Sequence, residues 1–295
     1  MTEEVKNLKI GKVLENVSLE KYTSYHLKEK TRMLVFPSNV DDLIKLLKFL
    51  KEKKYKYKII GGGSNLIFEK DYDGVLINLS NLDKLEIKDT HIEVEAGYNL
   101  IKLAKKVSKM GLTGMEFATG IPGTVGGATF NNSGAYKSDM GYIVKKVLTL
   151  DSNLEFKIFE NKEIEYHYRT SYFKKHPEYI ILKVEIDLKK GVKDDIMDII
   201  KDRKKRRIES QPLEYPSAGS VFRNPTNMYA GRLIEDVGLK GKNIGGAYIS
   251  EKHANFIVNK NNATGKDIVH VINKIKDKVY EKYNVELILE QEIVK

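Results

Sequence analysis

The stretch YKIIGGGSNL, residues 57–66, decides the fold because a strand pattern in it runs directly into a glycine loop. An earlier segment, TRMLVFP at 31–37, predicts another strand. Between them, the spacing of leucines over residues 40–54 predicts an amphipathic helix with its N-cap at Ser38 or Asn39. The chain is therefore expected to form a strand, a helix and a second strand that ends in a glycine-rich turn.

The glycine loop is a candidate binding site for phosphate groups. Three consecutive glycines, Gly61–Gly63, allow positive φ angles and a close approach of the backbone to a ligand. Successive N–H groups can form an anion-binding nest, and Ser64 and Asn65 add side-chain donors, which suits a pyrophosphate. The loop is neither a GxGxxG motif nor a Walker A motif, since the terminal Lys-Ser/Thr is missing. An ordinary turn at the end of a strand is the alternative.

A second glycine-rich segment, GIPGTVGGA, occupies residues 120–128, and NSGAY follows at 132–136. The segment is almost uncharged, and apolar residues are interspersed among its glycines, which is unlike a flexible linker. It is therefore expected to be an ordered loop packed under a ligand. Two glycine-rich elements in one chain favour a long, bent cofactor.

An arginine surrounded by aromatic residues marks a third candidate segment, YHYRTSYF at 166–173. Such an arginine is often desolvated, and the fixed charge of Arg169 could stabilise an oxyanion. Stacking and packing of the guanidinium is the alternative. His167 alternates with tyrosines and is interpreted as structural.

The segment GSVFRNP at 219–225 presents a hydroxyl in a small-residue turn. Ser220 has no evident His or Asp partner nearby in the sequence, so a hydrolase-type nucleophile is not expected. A hydroxyl without a base is better suited to donate a proton than to attack. The alternative is that Ser220 is only a turn residue that caps Val221.

Patterns elsewhere predict the remaining elements. Residues 1–20 are expected to form a short helix. Further strands are predicted at 75–79, 91–96, 144–151, 155–160, 179–188, 245–249, 256–259 and 285–294, and further helices at 100–110, 194–207, 230–237 and 264–282.

Length and composition limit the class of protein. A chain of 295 residues is expected to form about two domains. The chain has no cysteine, which excludes disulfides, thiolate metal sites and cysteine nucleophiles, and no metal site is expected. No apolar run is long enough to span a bilayer, and the N-terminus does not resemble a secretory signal, so a cytoplasmic protein is expected.

The net charge of +10 is the difference between 51 Lys and Arg and 41 Asp and Glu residues. It could attract nucleic acid or an anionic small molecule. The most basic run, KDRKKRR at 201–207, is interpreted as the solvated end of a helix. A basic RNA-binding protein would explain this run, but it would leave both glycine segments without a role.

Taken in order, five motifs carry a family resemblance: the glycine loop, GIPGTVGGA, YRTSYF, GSVFRNP and GAYISEKHANFIVN at 246–259. The chain resembles the UDP-N-acetylenolpyruvoylglucosamine reductase (MurB) family, in its shorter second type, from about Asn16 to the C-terminus. The resemblance implies an α+β fold with a two-subdomain FAD-binding module of the PCMH/VAO-like kind and a smaller α+β substrate-binding domain. The first FAD-binding subdomain is expected at residues 1–79, joined by a C-terminal strand at 286–295. The second FAD-binding subdomain is expected at 80–209, and the substrate-binding domain at 210–285.

The resemblance also implies the activity. Members of the family use NADPH and non-covalently bound FAD to reduce the enolpyruvyl group of UDP-N-acetylglucosamine enolpyruvate to UDP-N-acetylmuramate, a precursor of peptidoglycan. The expected partners are therefore the UDP-sugar and NADPH, with no nucleic acid and no membrane insertion, and the protein is expected to be a monomer.

By the same resemblance, three sets of residues are expected in the site. The catalytic residues are Ser220 as proton donor, Arg169 near the substrate carboxylate and Glu290 beside it, with Glu292 as the alternative carboxylate. The cofactor-binding residues are Gly61, Gly62, Gly63, Ser64, Asn65, Leu66, Gly120, Pro122, Gly123, Thr124, Gly126 and Gly127. The substrate-binding residues are Tyr168, Arg223, Asn224 and His253.

The chain departs from the family pattern in two places. Lys28-Glu29 stand where the family usually has two glycines, which affects the expected packing near the cofactor. The ending Glu290-Gln291-Glu292 replaces the usual Glu-Val-Arg. A different flavin oxidase or dehydrogenase with a related FAD cradle is the main alternative, but it would not carry GSVFRNP in this order.

The absence of cysteine generates a test of how the cofactor is bound. Because no motif indicates a covalent attachment, acid precipitation of the purified protein should release its yellow colour into the supernatant as FAD. Chromatography of the supernatant checks this. Colour retained in the pellet, or FMN in the extract, would contradict the expectation.

Overall fold

A computed structural model describes residues 2–295, and this part of the chain divides into two compact units. The first unit contains the segments up to Leu14, Met33–Gly62 and Gly74–Lys205. The second contains Glu15–Arg32, Gly63–Asp73 and Arg206–Lys295. The chain therefore passes between the units several times, once within the glycine loop.

The helices and strands alternate along the chain. The helices are α1 (Thr2–Asn7), α2 (Val40–Glu52), α3 (Leu100–Lys109), α4 (Val125–Asn131), α5 (Tyr172–Lys175), α6 (Lys193–Ser210), α7 (Ala230–Asp236) and α8 (Gly265–Tyr283). The strands are β1 (Gly11–Ser18), β2 (Lys30–Pro37), β3 (Tyr57–Ile60), β4 (Leu66–Phe68), β5 (Tyr72–Asn78), β6 (Leu85–Lys88), β7 (His91–Glu95), β8 (Leu112–Thr113), β9 (Gly134–Ala135), β10 (Ser138–Asp139), β11 (Val144–Leu150), β12 (Phe156–Glu160), β13 (Ile180–Asp187), β14 (Lys189–Lys190), β15 (Asn243–Ile244), β16 (Ala247–Ile249), β17 (Ile257–Asn259) and β18 (Glu292–Val294).

One core of the first unit forms around α2. Asn39 caps this helix, and its side chain accepts the N–H of Asp42. The buried leucines of α2 pack in one hydrophobic core with apolar residues of β2 and β5. The sheet order is β1–β2–β5–β3, and β3 runs parallel to β5. The predicted strand, capped helix and strand are confirmed.

A second core of the first unit lies on an antiparallel sheet in the order β12–β11–β13–β7–β6. Helix α3 contributes its buried Leu100, Leu103 and Val107 to this core. Strands β7, β11, β12 and β13 lie where alternation in the sequence predicts them. The sheet and α3 thereby fix both ends of the second glycine-rich segment.

The composition of the second glycine-rich segment predicted an ordered loop, but its end is helical. Its end forms α4, in which Thr124 is the N-cap and its Oγ1 accepts the N–H of Gly127 at 3.3 Å. Asn132 ends the helix in a left-handed conformation with φ 45°. Gly126 and Gly127 are poor helix formers, so propensity favoured a loop. The tertiary contact of the Gly126 N–H with the Ala96 carbonyl, at 2.8 Å, holds the backbone instead.

The core of the second unit combines α7 and α8 with residues of several short strands. Strands β15, β16 and β17 form an antiparallel sheet. Helix α8 buries Ile268, Val271, Ile272, Ile275 and Val279, which the sequence predicted as its apolar face. Strands β4 and β18 form a parallel pair at the C-terminal end of the chain.

Two predicted elements are wrong at the chain ends. The N-terminal region contains α1, but β1 follows at Gly11–Ser18, where a helix was expected. The C-terminal strand predicted at 285–294, or 286–295 in the implied domain boundaries, is limited to Glu292–Val294. Before it, Leu289 makes an isolated bridge with Phe222, and the Gln291 side chain turns inward to bind backbone carbonyls. The alternation of apolar and polar residues therefore extends beyond the residues that form a regular hydrogen-bonded strand.

The basic run at 201–207 lies in the C-terminal half of α6, as its interpretation as a helix end requires. Most side chains of this helix are exposed. Within residues 2–295, no helix combines the length and the apolar character needed to cross a membrane.

The capping box of α8 generates a stability test. Thr264 accepts the N–H of Asp267, and the Asp267 carboxylate accepts the N–H of Thr264 at 2.9 Å. Thr264→Ala should lower the free energy of unfolding by about 1 kcal/mol, because one helix N–H loses its acceptor. Urea unfolding followed by circular dichroism measures the change. Thr264→Ser keeps the hydroxyl and should retain most of the stability; equal losses in both variants would exclude the cap as the cause.

Candidate active site

The two glycine-rich segments meet within the first unit. A Cβ atom on Gly61 would lie 2.5 Å from Thr124 Oγ1, and one on Gly62 would lie 2.8 Å from the Gly123 Cα. Backbone therefore packs directly on backbone. Asn78, at the end of β5, donates from Nδ2 to the Gly61 carbonyl at 3.1 Å and ties the loop to the sheet.

The second segment is held by α3 and β7. The Gly123 carbonyl accepts the N–H of Leu100, and Thr124 forms a bridge with Asn99 at the start of α3. Gly120 ends a short 3-10 helix, and Pro122 is exposed. Pro122, Gly123 and Thr124 therefore connect the 3-10 helix that ends at Gly120 to α4, whose first turn contains Gly126 and Gly127.

The rest of the first glycine loop belongs to the second unit. Gly63 is buried, and its carbonyl accepts the N–H of Ser24. Asn65 donates from Nδ2 to the Glu290 carbonyl at 3.1 Å and accepts the N–H of Glu292 at its own carbonyl. Leu66 begins β4 opposite Glu292. Asn65 therefore positions the C-terminal segment, in addition to its predicted role toward the cofactor.

The composition of the first-unit segments fits an FAD site. Gly62 is exposed and presents backbone without a side chain, so a flat or anionic group can approach its N–H. The donors nearby are neutral N–H and hydroxyl groups, which are suited to a pyrophosphate. Gly61, Gly62, Gly123 and Thr124 would contact the cofactor, whose redox chemistry these residues cannot themselves supply.

Arg169 lies in a strained turn of the first unit. Its φ of 57° is uncommon for a residue with a side chain. The guanidinium donates from Nη2 to the Gly134 carbonyl at 2.6 Å and lies 5.2 Å from the ring of Tyr168, which is 53% exposed. Asn132 donates to the His167 carbonyl at 2.9 Å and supports the same turn.

Asp139 provides the negative charge that faces Arg169. It pairs with Gly134 in the β9–β10 hairpin, so the carbonyl that binds the guanidinium and a carboxylate that interacts with its charge belong to one short hairpin. Burial raises the pKa of Asp139, while hydrogen bonds from Gly141 and Asn132 and the charge of Arg169 oppose the rise. Burial also raises the pKa of Tyr166, and the charge of Asp139 adds to that effect, so the phenol stays protonated.

Ser220 and Glu290 are brought together within the second unit. Ser220 forms a backbone bridge with Phe256, and the next residue, Val221, donates its N–H to the Asn255 carbonyl at 2.9 Å. On the other side, the N–H of Glu290 binds the Val221 carbonyl at 2.9 Å. The predicted proton donor and the predicted carboxylate therefore lie on paired neighbouring segments.

The structure favours Glu290 over Glu292 as the carboxylate near Ser220. Glu290 is half-buried and pairs with Val221. Glu292 is exposed and pairs with Leu66 in the β4–β18 ladder, away from the Ser220 segment along the chain. Arg169 belongs to the first unit and these residues to the second.

The predicted substrate-binding residues of the second unit have different environments. The Nε atom of Arg223 is buried and has no hydrogen-bond partner within residues 2–295. Asn224 is exposed, and its Oδ1 accepts the first N–H of α7, from Ala230, at 3.1 Å. The amide of Asn224 is thus partly used by the fold, whereas Arg223 retains an unsatisfied donor for an anionic ligand.

His253 is neutral at physiological pH because burial lowers its pKa. Its Nδ1 accepts the N–H of Asn255 at 3.2 Å, so the neutral ring carries its hydrogen on Nε2. The ring packs edge-on against Phe256, with centroids 4.8 Å apart. His253 can therefore donate one hydrogen bond to a ligand oxygen without adding charge.

Sequence reasoning missed the residues that support the predicted catalytic residues within each unit. Asn132 and Asp139 support Arg169, while Asn255 and Gln291 bind the backbone around Ser220. Buried amides within glycine-rich or apolar segments were the available signal, since such groups require partners. Their partners are distant in the sequence, so the pattern could not identify them.

Lys28 and Glu29, which replace the usual two glycines, contact the start of α8. Lys28 Nζ donates to Asn262 Oδ1 at 2.8 Å, and Glu29 Oε1 accepts the N–H of Gly265 at 2.6 Å. The negative charge of Glu29 is favourable at this helix N-terminus. Within the second unit, the departure thus supports α8.

Comparisons with known proteins identify the family. Residues 211–294 match the C-terminal domain of UDP-N-acetylenolpyruvoylglucosamine reductase, and residues 31–153 match an FAD binding domain. The UDP-N-acetylenolpyruvoylglucosamine reductase of Anoxybacillus flavithermus is 44% identical over 100% of this chain and 98% of its own length. The chain belongs to the UDP-N-acetylenolpyruvoylglucosamine reductase family.

Other members agree with this assignment. The enzyme of the same name from Bacillus subtilis (strain 168) is 40% identical over 99% of this chain and 97% of its own length. The crystal structure of the MurB reductase from Thermus caldophilus superposes with a TM-score of 0.82 at 30% identity, covering 96% of this chain and 99% of that chain. The predicted family, α+β fold class and FAD cofactor are confirmed.

The contact between the glycine segments generates a test with a matched control. Gly62→Ala should destabilise the apoprotein by about 1–3 kcal/mol, because the added methyl group meets the Gly123 backbone. Gly127→Ala should not destabilise it, since the nearest atom to its Cβ is Thr124 Oγ1 at 3.5 Å. Urea unfolding of both apoproteins measures the difference. A wild-type stability for Gly62→Ala would show that the two segments do not pack as described.

Proposed function

We propose that the protein reduces the enolpyruvyl group of UDP-N-acetylglucosamine enolpyruvate with NADPH, giving UDP-N-acetylmuramate and NADP⁺ for peptidoglycan precursor synthesis. Full-length similarity to reductases of that name supports the reaction. The observation that carries the assignment of residues is the pairing of Glu290 with Val221, which places a half-buried carboxylate segment beside Ser220.

The reaction requires balanced delivery of electrons and hydrogen. Reduction of the double bond adds a hydride equivalent, which is two electrons and one proton, at the methylene carbon and a second proton at the neighbouring carbon. NADPH is the source of the electrons and is oxidised. FAD, when bound, supplies the redox chemistry that links NADPH to the substrate. The chain itself must stabilise negative charge and deliver the proton.

Arg169 is proposed to stabilise the charge that develops next to the substrate carboxylate. Its guanidinium provides a positive charge that the Gly134 carbonyl orients before any ligand binds. A preorganised cation needs no reorganisation when the charge appears, which is how such groups lower a barrier. Tyr168 stacks beside it and is proposed to contact the substrate.

Ser220 is proposed to donate the proton from Oγ, and Glu290 to stabilise the enol form of the substrate. Backbone pairing with Phe256 on one side and Glu290 on the other defines the path of the chain at Ser220 and Val221. An ordinary serine is a weak acid, so the transfer depends on the basicity that the substrate carbon acquires. Water then restores the serine proton.

The nucleotide-sugar is proposed to bind through Arg223, Asn224 and His253. Arg223 offers an unsatisfied buried donor to a phosphate, and His253 offers a neutral donor to a phosphate or sugar oxygen. Both nucleotide substrates are anions, and the net charge of +10 favours their approach. Since both are intracellular metabolites, we place the reaction in the cytoplasm, with the protein acting as a monomer.

Ser220 can be tested because it serves only one half of the reaction. Ser220→Ala should keep FAD and its reduction by NADPH, but should slow reoxidation by the substrate by about 10²–10⁴-fold, the usual contribution of a positioned acid. Stopped-flow flavin absorbance measures each half separately. Ser220→Cys should retain more reoxidation than the alanine variant, because a thiol can also donate.

Ser217→Ala is the matched control, since this serine precedes Ser220 by three residues in the same segment. It should leave both half-reactions near the wild-type rates. Equal slowing of both halves in Ser220→Ala would indicate a structural role for Ser220. Reoxidation at the wild-type rate would show that the proton comes from another group, with Glu290 the first to examine.

A further inference from the structure

We propose that Gln291, oriented by Tyr25, is a positioning residue that fixes the backbone turn carrying the Ser220 hydroxyl. This inference rests on the proposed role of Ser220 as proton donor. It concerns a residue that stands where the related ending Glu-Val-Arg has a valine, so it describes a feature of this chain.

Gln291 binds an unusual set of carbonyl groups. Its side-chain Nε2 lies 3.1 Å from the Ala218 carbonyl oxygen, 3.2 Å from that of Gly219 and 3.3 Å from that of Ser220. The residue is 4% exposed, so water does not compete freely for these acceptors. The two hydrogens of one amide group are therefore shared among three successive carbonyl groups.

The convergence of the three carbonyl groups explains why a donor is needed. Their oxygens carry partial negative charge and repel one another when they point to one position in a buried site. A buried carbonyl without a donor also loses its hydrogen bond to water, which is unfavourable. An apolar side chain at position 291 would satisfy none of them, and the turn would relax toward another arrangement.

Tyr25 determines which end of the amide faces the turn. Its hydroxyl donates to Gln291 Oε1 at 2.9 Å, and the side chain is fully buried. Burial raises the pKa of Tyr25, so its hydroxyl remains protonated throughout the working range. With Oε1 engaged by this donor, Nε2 must face the carbonyl groups; the reversed amide would place an oxygen against three acceptors.

At Gly219 itself no side chain or neighbouring group packs against the turn. Gly219 adopts a φ of 76°, and a Cβ added there would have no atom within 4 Å. Beyond the turn, the bridge of Ser220 with Phe256 and the bond from Val221 to Asn255 define where the chain continues. Gln291 thus secures the segment before Ser220, and β-type pairing secures the segment after it.

The test uses Gln291→Leu, which removes the donor and keeps a similar volume. FAD content and reduction by NADPH should remain within about twofold of wild type. Reoxidation by the substrate should slow by about 10- to 100-fold, the effect expected when a reacting group is misplaced by a fraction of an ångström to an ångström. Tyr25→Phe, which removes a single hydroxyl, should give a smaller loss in the same half-reaction.

A double-mutant comparison separates this role from an effect on the adjacent Glu290. If Gln291 acts through Ser220, Gln291→Leu should have almost no further effect on reoxidation in a Ser220→Ala background. A full additional loss in that background would overturn the inference. A wild-type reoxidation rate for Gln291→Leu would also overturn the inference. If Ser220→Ala is slow in the same assay, the proposed role of Ser220 stands even then.

Hydrogen exchange of the apoprotein provides a second readout that does not depend on activity. In Gln291→Leu, a peptide covering residues 218–223 should exchange its amide hydrogens faster than in wild type. Asn161→Ala is the control, because Asn161 is a partly buried amide of the first unit that likewise donates to backbone carbonyls, those of Gly141 at 2.9 Å and Val144 at 2.7 Å. Unchanged exchange in Gln291→Leu, or equal acceleration in the control, would contradict the proposal. Failure of Ser220→Ala to slow reoxidation would instead refute the proposed proton donor.

Discussion

The contact of Gly62 with Gly123 is the constraint on which the first unit depends. No side-chain atom fits between these two backbones, since even a Cβ on Gly62 would lie 2.8 Å from the facing Cα. The contact joins the end of β3 to the start of α4, and Asn78 and Leu100 secure its two sides. Neighbouring glycine N–H groups are thereby left accessible to a cofactor, because no side chain covers them.

Buried amide side chains perform the corresponding role around the proposed catalytic residues. Asn132 accepts the N–H of Gly141 and donates to the His167 carbonyl, which links the hairpin to the Arg169 turn. Asn255 binds both the N–H and the carbonyl of Phe222, at 3.0 and 2.8 Å. An amide can donate and accept at once, so one side chain can hold two segments in register where no regular ladder forms.

Arg169 and Ser220 differ in the groups that surround them. Arg169 has a carboxylate in Asp139 close enough for the charge of the arginine to oppose the rise in the pKa of that carboxylate. The backbone at Ser220 is held by the neutral amide of Gln291, and the half-buried Glu290 pairs with the neighbouring Val221. The residue proposed to stabilise charge thus has a charged neighbour, whereas hydrogen bonds from neutral groups set the path of the chain at the proposed proton donor.

The sequence alone determined the elements whose periodicity or caps are local, such as α2, α8 and strands β7, β11, β12 and β13. It also supplied the ordered motifs that indicated the family, the α+β class and FAD. Tertiary structure decided what depends on distant partners. Helix α4 forms despite two glycines because Ala96 and Thr124 hold it, and the last strand is limited to Glu292–Val294, the residues that pair with β4. Helix propensity and the alternation of apolar residues depend only on residues that are close in the sequence. The hydrogen-bond partners of a buried amide are distant in the sequence and reach it only when the chain folds.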